Sequence, residues 1–239
     1  MSNANFPQQL LRQGAETLGL TLSDAQIAQL LGYHALIQKW NKVYNLTAIR
    51  DPAEMLTHHL LDSLAVVAPL RIRLAGLAYG QDGAGDNNND HDVVANQYLY
   101  KLLDVGAGAG LPGVVLAICC PDIHVTCVDA VAKKMAFVQQ VATELKLPNL
   151  KALHARVETL TDKYDIITSR AFATLLDFVT GSSAALRPPT GVWLAMKAKD
   201  TSAEVAELPA DVAVFHVEQL VVPGLDAERC IVWMRQNSV

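Results

Sequence analysis

The sequence has no apolar run long enough to cross a bilayer. Its longest, Val114 to Cys120, falls far short of the roughly 20 residues a membrane-spanning helix needs. The opening stretch MSNANFPQQLLRQGAETLGL also lacks the basic start, continuous apolar core and small-residue cleavage site of a secretory signal. A cytoplasmic protein with no membrane partner is therefore expected. Cysteine is scarce: Cys119 and Cys120 are adjacent, Cys127 and Cys230 are isolated, and no pair has CxxC spacing. That pattern argues against a disulfide framework or a thiolate metal site, and the four read as small buried hydrophobes. Positive charge is not in excess either, with 19 Lys and Arg against 24 Asp and Glu and a net charge of −5. A protein that grips nucleic acid through bulk positive charge is excluded. Local basic patches are not, because Asp82, Asp86, Asp90 and Asp92 crowd one short stretch that contains no Lys or Arg, leaving the remainder nearly neutral. With 51% hydrophobic and 18% charged residues, the chain has the composition of an ordinary globule that can bury a core.

The 239 residues suit one large domain with an appendage. Residues 1–73 read as a helical N-terminal extension packed on the catalytic domain. Ser23 with Gln26 forms a capping-box signal before Ile27, Leu30 and Leu31, and Asp51, Pro52 and Glu54 mark a second helix start. The run Trp40 to Thr47 between them has no clean period and is rich in hydrogen-bonding side chains, so it is placed outside the helices as a working surface. Residues 74–100, with QDGAGDNNNDHD, read as a flexible acidic insertion that cannot bury enough apolar area to order itself. Its spacing lacks the D-x-D-x-D-G…E pattern of a calcium loop, and no metal is expected. From 101 to 239, β-rich runs at Leu102–Val105, His124–Asp129, Leu150–His154, Asp165–Ser169, Val192–Met196, Val212–Leu220 and Cys230–Met234 alternate with helical stretches. This is the signature of an α/β fold: a mostly parallel seven-stranded sheet with helices on both faces. Only a loop with Pro223-Gly224 joins the last two runs, which should form an antiparallel pair.

The most informative run is Leu103-Asp104-Val105-Gly106-Ala107-Gly108-Ala109-Gly110-Leu111-Pro112-Gly113. It leaves the first strand and opens a helix, where open α/β sheets bind ligands. Gly108, Gly110 and Gly113 satisfy GxGxxG literally, which keeps a nucleotide-dependent oxidoreductase as an alternative. Two neighbours point elsewhere. Asp104 would repel a pyrophosphate but could help hold a cationic amino-acid ligand, and Pro112 removes an N–H that a phosphate would want. D-x-G-x-G-x-G instead is similar to the S-adenosyl-L-methionine loop of Rossmann-like methyltransferases. Asp129, nineteen residues beyond Gly110, stands where an acid accepts from ribose hydroxyls, or where it caps the helix starting near Val131. Arg156-Val157-Glu158 follows the third strand, where Val157 can cover an adenine face and Glu158 meet its edge; a solvated turn is the other reading.

Taken together with Trp40 to Thr47, Arg50-Asp51-Pro52, His59-Leu60-Leu61-Asp62-Ser63 and Ser169-Arg170-Ala171-Phe172-Ala173, these motifs make the chain resemble the bacterial 16S ribosomal RNA (guanine-N7)-methyltransferases, the glucose-inhibited division protein B family. The resemblance covers nearly the whole chain except the stretch near 74–100. It implies a Rossmann-like S-adenosylmethionine-dependent fold and a 16S rRNA substrate in the small ribosomal subunit or an assembly intermediate. It also puts Gly106, Leu111, Val157 and Glu158 at cofactor-contacting positions, and Arg170 where cofactor and RNA meet. Departures are His58 for a frequent Arg, Met196-Lys197-Ala198 for Leu-Lys-Gly, and Cys230 for a common His. Guanine N7 has a lone pair and no proton to lose, so no general base is required. Arg170 is accordingly read as a substrate-positioning residue and Phe172 as a stacking platform, against a surface cap and a core residue respectively. Asn45, Thr47, His59, Asp62 and Lys197 are placed around the substrate pocket, although His59 reads equally as a structural histidine. A monomer is expected. A methyltransferase on another RNA and a non-catalytic ribosome assembly factor remain alternatives.

Overall fold

A computed structural model describes residues 6–81, 98–170, 174–198 and 201–237. The C-terminal part folds on a seven-stranded sheet: β1 (Tyr100–Val105), β2 (Ile123–Asp129), β3 (Leu150–His154), β4 (Ile166–Ser169), β5 (Val192–Lys197), β6 (Val212–Leu220) and β7 (Arg229–Gln236). Their order across the sheet is β3-β2-β1-β4-β5-β7-β6. The first five run parallel, while β7 pairs antiparallel with both β5 and β6. All seven expected strands are present with small shifts at their ends. The connections contain α6 (Gly113–Cys119), α7 (Ala132–Glu144), α8 (Leu175–Ser182) and α9 (Ser202–Ala206). Strand order reverses between β1 and β4, so the chain leaves these neighbours in opposite directions and opens a crevice at their carboxyl ends.

Ahead of the sheet lie α1 (Phe6–Thr17), α2 (Asp24–Tyr44), α3 (Pro52–Met55), a π-helical segment (Leu56–Leu61), α4 (Asp62–Leu64) and α5 (Val67–Gln81). Both start signals operate as read. Ser23 and Gln26 form a reciprocal capping box, and the Asp51 carboxylate accepts from the Ala53 and Glu54 amides. These helices bury Leu11, Ile27, Leu30, Ile37 and Leu60 in the same core cluster as Val114 and Val115 of α6, Phe137 of α7 and Val125 of β2. The opposite face has its own cluster, with Trp193, Phe178 and Ile167 fully or almost fully buried. The N-terminal helices are thus one cover of the sheet, and the loss of about 25 cal/mol per Å² would follow from stripping their apolar area away.

Two boundaries differ from the sequence reading. Trp40 to Tyr44 belongs to α2, where residues four apart share a face and the Trp40 and Tyr44 rings stack at 5.2 Å. The polar character of the run comes from Asn41, only 2% exposed, which accepts from the Thr47 amide and donates to the Ile49 carbonyl. Asn45 then ends the helix in the left-handed region at φ 50°, a position asparagine tolerates. Secondly, α5 continues through Leu74 to Gln81, past the expected start of the insertion at 74. Its Leu-Ala-rich sequence propagates a helix despite Gly76 and Gly80. The remainder of the expected insertion, from 82 to 97, lies outside the described residues.

Candidate functional site

The site is built at the carboxyl ends of β1, β2, β4 and β5. Asp104 lies opposite Cys127 of β2 and Thr168 of β4. Two residues further along each strand, Gly106 and Arg170 therefore leave the sheet side by side. Gly106, Gly108 and Gly110 have φ of 65°, 60° and 91°, a backbone that turns the loop sharply back into α6. The loop is fastened from three directions. The Gly108 amide donates to Asp129 Oδ2 at 3.1 Å, the Gly113 amide donates to Asp104 Oδ2 at 2.8 Å, and the Tyr33 hydroxyl donates to the Ala109 carbonyl at 2.7 Å. Gly113 is needed for closeness: a Cβ there would stand 2.5 Å from Cys127 Sγ and 2.7 Å from Asp104 Oδ2.

The structure sets Asp104 beneath the loop, fully buried, rather than in the open crevice where a direct ligand contact was expected. Burial pushes its carboxyl up to about 7, against the Gly113 amide that favours the ionised form. Its Oδ1, with Thr168 Oγ1 and Ser169 Oγ, is buried with no protein hydrogen-bond partner among the described residues. Three unsatisfied buried polar atoms thus lie at the ends of β1 and β4.

A crevice of about 210 Å³ opens beside this loop, lined by Val105, Gly106, Asp129, Arg156, Val157 and Glu158 among others. The two expected adenosine-side groups, Asp129 and Arg156-Val157-Glu158, are thus brought together with Gly106. Asp129 serves the turn as well, accepting from the Val131 amide at 2.8 Å and pairing with Lys134 at 3.3 Å. Val157 is buried and Glu158 exposed. The Leu111 side chain is buried in the core behind the loop.

A second cavity, of about 250 Å³, is lined by Ile49, His58, His59, Asp62, Arg170, Met196, Lys197, Ala198 and Arg229. At its floor Asp62, 3% exposed, bridges two arginines: Oδ2 accepts from Arg170 Nη1 at 3.2 Å and Oδ1 from Arg229 Nε at 2.9 Å. Arg170 also donates from Nη1 to the His58 carbonyl at 2.8 Å and from Nη2 to His59 Nδ1 at 3.5 Å. With Nδ1 accepting, a neutral His59 carries its proton on Nε2, which donates to Thr47 Oγ1 at 2.8 Å. Burial, then the adjacent Arg170 charge, lowers His59 to about 4. The π-helical segment, which fits an extra residue into a turn, carries both histidines.

Of the expected substrate-side residues, His59 and Lys197 line the cavity with Arg170. Thr47 stands behind His59, and Asn45 is exposed at the end of α2, accepting from Arg50 Nη2 at 2.8 Å. Neither lines the cavity. Phe172 lies outside the described residues. Arg229 is a site residue that sequence reasoning missed; it carries no motif, and only the antiparallel course of β7 brings it beside Lys197.

The chain matches known proteins along most of its length. The family model described as GidB, rRNA small subunit methyltransferase G, matches residues 26–72 and 91–232, leaving out 73–90, which overlaps most of the insertion expected at 74–100. The chain is 66% identical over 232 residues to Ribosomal RNA small subunit methyltransferase G of Albidiferax ferrireducens, covering 97% of this chain and 98% of that protein. It is 60% identical over 235 residues to the protein of that name from an Acidovorax species, covering 98% and 97%. Among solved structures, TrmN from Thermus thermophilus superposes with a TM-score of 0.53 at 16% identity over 76% of this chain and 53% of that chain, a likeness of fold.

Proposed function

This chain belongs to the GidB family of ribosomal RNA small subunit methyltransferases G, and from that premise we propose that it transfers the methyl group of S-adenosylmethionine to N7 of a guanine in 16S rRNA. The observation that carries the reading is the adjacency of two cavities at the β1/β4 reversal, one framed by the glycine loop and one by Arg170. Gly106, Gly108, Gly110, Asp129, Val157 and Glu158 would hold the cofactor, with Leu111 and Asp104 supporting the loop from behind. When bound, the cofactor supplies an electrophilic methyl group on a sulfonium.

The protein's own residues then have one main task, which is orientation. Arg170 is held by three acceptors, Asp62, the His58 carbonyl and His59 Nδ1, so its guanidinium enters the reaction already placed. Such positioning supplies roughly 7–11 kcal/mol in favourable systems. A guanidinium beside guanine O6 fixes the base, and N7 presents its lone pair without a proton transfer. The neutral His59 therefore serves as an acceptor for Arg170 and not as a base. Lys197 and Phe172 are assigned to the RNA, and Asn45 and Thr47 to the support of His59 and its loop.

Among the described residues no helix is long and apolar enough to cross a membrane. The proposed substrate is the small subunit or its assembly intermediate, which places the enzyme's action in the cytoplasm. The deciding experiment incubates the protein with labelled S-adenosylmethionine and small subunits lacking the modification, then maps the label. Label on N7 of one guanine is expected; label elsewhere, or none, overturns the proposal. Calorimetry with NAD(H) alongside S-adenosylmethionine separates the oxidoreductase alternative.

A further inference from the structure

The second cavity contains more positive charge than holding Arg170 requires. Arg170, Arg229 and Lys197 bring three cations, and two carboxylates face them: Asp62 between the arginines, and Glu204, whose Oε2 accepts from Lys197 Nζ at 2.7 Å. One unit of positive charge is left over in a space of about 250 Å³, which matches one phosphodiester. Arg229 is also only partly spent. Its Nε is on Asp62 and its Nη1 on the Glu228 carbonyl at 3.0 Å, while Nη2 has no protein partner among the described residues. The carboxylate that holds it is 4% exposed, whereas the two guanidinium side chains keep 20–21% exposure. A buried acid thus turns two cations toward an open cavity.

We propose that Arg229 and Lys197 form a phosphate subsite for the RNA backbone next to the target base, with Asp62 as the positioning residue that couples this subsite to Arg170. The inference rests on the RNA methyltransferase reading above. Arginine suits the role because its planar fork can give Nε to Asp62 and a second edge to phosphate oxygens. Lys197, tied to Glu204, supplies a point charge from the neighbouring strand. Glu204 Oε2 also accepts from the Leu175 amide at 2.7 Å, so the lysine is anchored to the start of α8.

Backbone contacts leave a signature that a purely structural ion pair does not: each phosphate contact contributes roughly 0.7–0.9 to the slope of log affinity against log salt. Binding of wild type, Arg229→Gln, Arg229→Lys and Lys197→Gln to small subunits lacking the modification is measured over a series of KCl concentrations, with S-adenosylmethionine calorimetry confirming that each variant is folded. Arg229→Gln and Lys197→Gln should each lose about that much slope, and Arg229→Lys should retain it. Asp62→Asn should lower kcat while S-adenosylmethionine affinity stays near wild type, since Arg170 loses its anchor. Wild-type slopes in both Gln variants with intact cofactor binding would overturn the subsite, and wild-type kcat in Asp62→Asn would remove the positioning role. If Arg229→Gln fails to bind cofactor, Lys197→Gln decides alone. A wild-type protein that methylates nothing sinks the methyltransferase reading, whereas an active one with unaltered slopes sinks only the subsite.

Discussion

Replacing Gly113 by alanine tests the claim that the glycine loop is pinned to the sheet beneath it. The new methyl carbon would lie 2.5 Å from Cys127 Sγ, 2.7 Å from Asp104 Oδ2 and 3.1 Å from Asp104 Cβ. Both neighbours sit on central strands, β1 and β2, which are paired along their lengths and cannot retreat. The loop must lift instead, stretching the Gly113–Asp104 hydrogen bond of 2.8 Å. Overpacking of this kind costs about 1–3 kcal/mol, and loss of a buried hydrogen bond adds about 1–3 kcal/mol. A total of roughly 2–6 kcal/mol is a large share of the 5–15 kcal/mol that holds a typical domain folded. Gly76→Ala is the control. It lies on an exposed face of α5 with nothing within 4 Å of the added carbon, and should gain about 0.5–1 kcal/mol from helix propensity. Urea midpoints and S-adenosylmethionine calorimetry read both. The reasoning fails if Gly113→Ala matches wild type in midpoint and in affinity.

Three further outcomes follow from the same geometry. Tyr33→Phe removes the donor to the Ala109 carbonyl and leaves that buried oxygen unpaired, costing about 1–2 kcal/mol; cofactor affinity should fall while kcat at saturating cofactor stays near wild type, and steady-state kinetics check the split. Asp104 titrates near 7 when folded and near 3.8 when free, so the folded state binds the extra proton between those values. Its contribution is therefore greatest at acid pH and is lost as pH rises from about 4 through 7; Asp104→Asn should flatten that slope in denaturation midpoints. His59 has the opposite sign. Its folded value of about 4 lies below the ordinary 6.5, so its contribution is complete above 6.5 and lost as pH falls toward 4. The kcat profile at saturating substrates should show no histidine step near neutrality, and one that titrates near 6.5 and vanishes in His59→Gln would contradict the neutral acceptor role.

The strands were legible because each is a short, largely apolar run between loop or helical segments, and the glycine loop because its spacing is local. Helix ends were less so. In Trp40 to Tyr44 a buried Asn41 interrupts the apolar period, since its amide organises the following loop. In α5, the helical Leu74 to Gln81 was averaged with the Asp- and Asn-rich residues that follow it in sequence. At the site, residues next to a motif were found and those supplied by distant strands were not. Arg229 reaches Asp62 across 167 positions, and nothing near it in the chain announces the contact. Asp104 was found but for a different contact: its partner Gly113, nine residues on, shows that the acid of such a loop can serve the loop itself.

The 21-residue helix α2 touches both halves of the chemistry. Tyr33, near its middle, braces the glycine loop. Two turns later Asn41 sets the bend that presents Thr47 to His59, and His59 in turn meets Arg170. Grafting the leading helices of a divergent relative onto this sheet would therefore alter the glycine loop and the Arg170 cavity in one stroke. Viable recombination points should fall either before Ser23 or after the last turn of α5, and hybrids joined inside α2 should lose cofactor grip and turnover together.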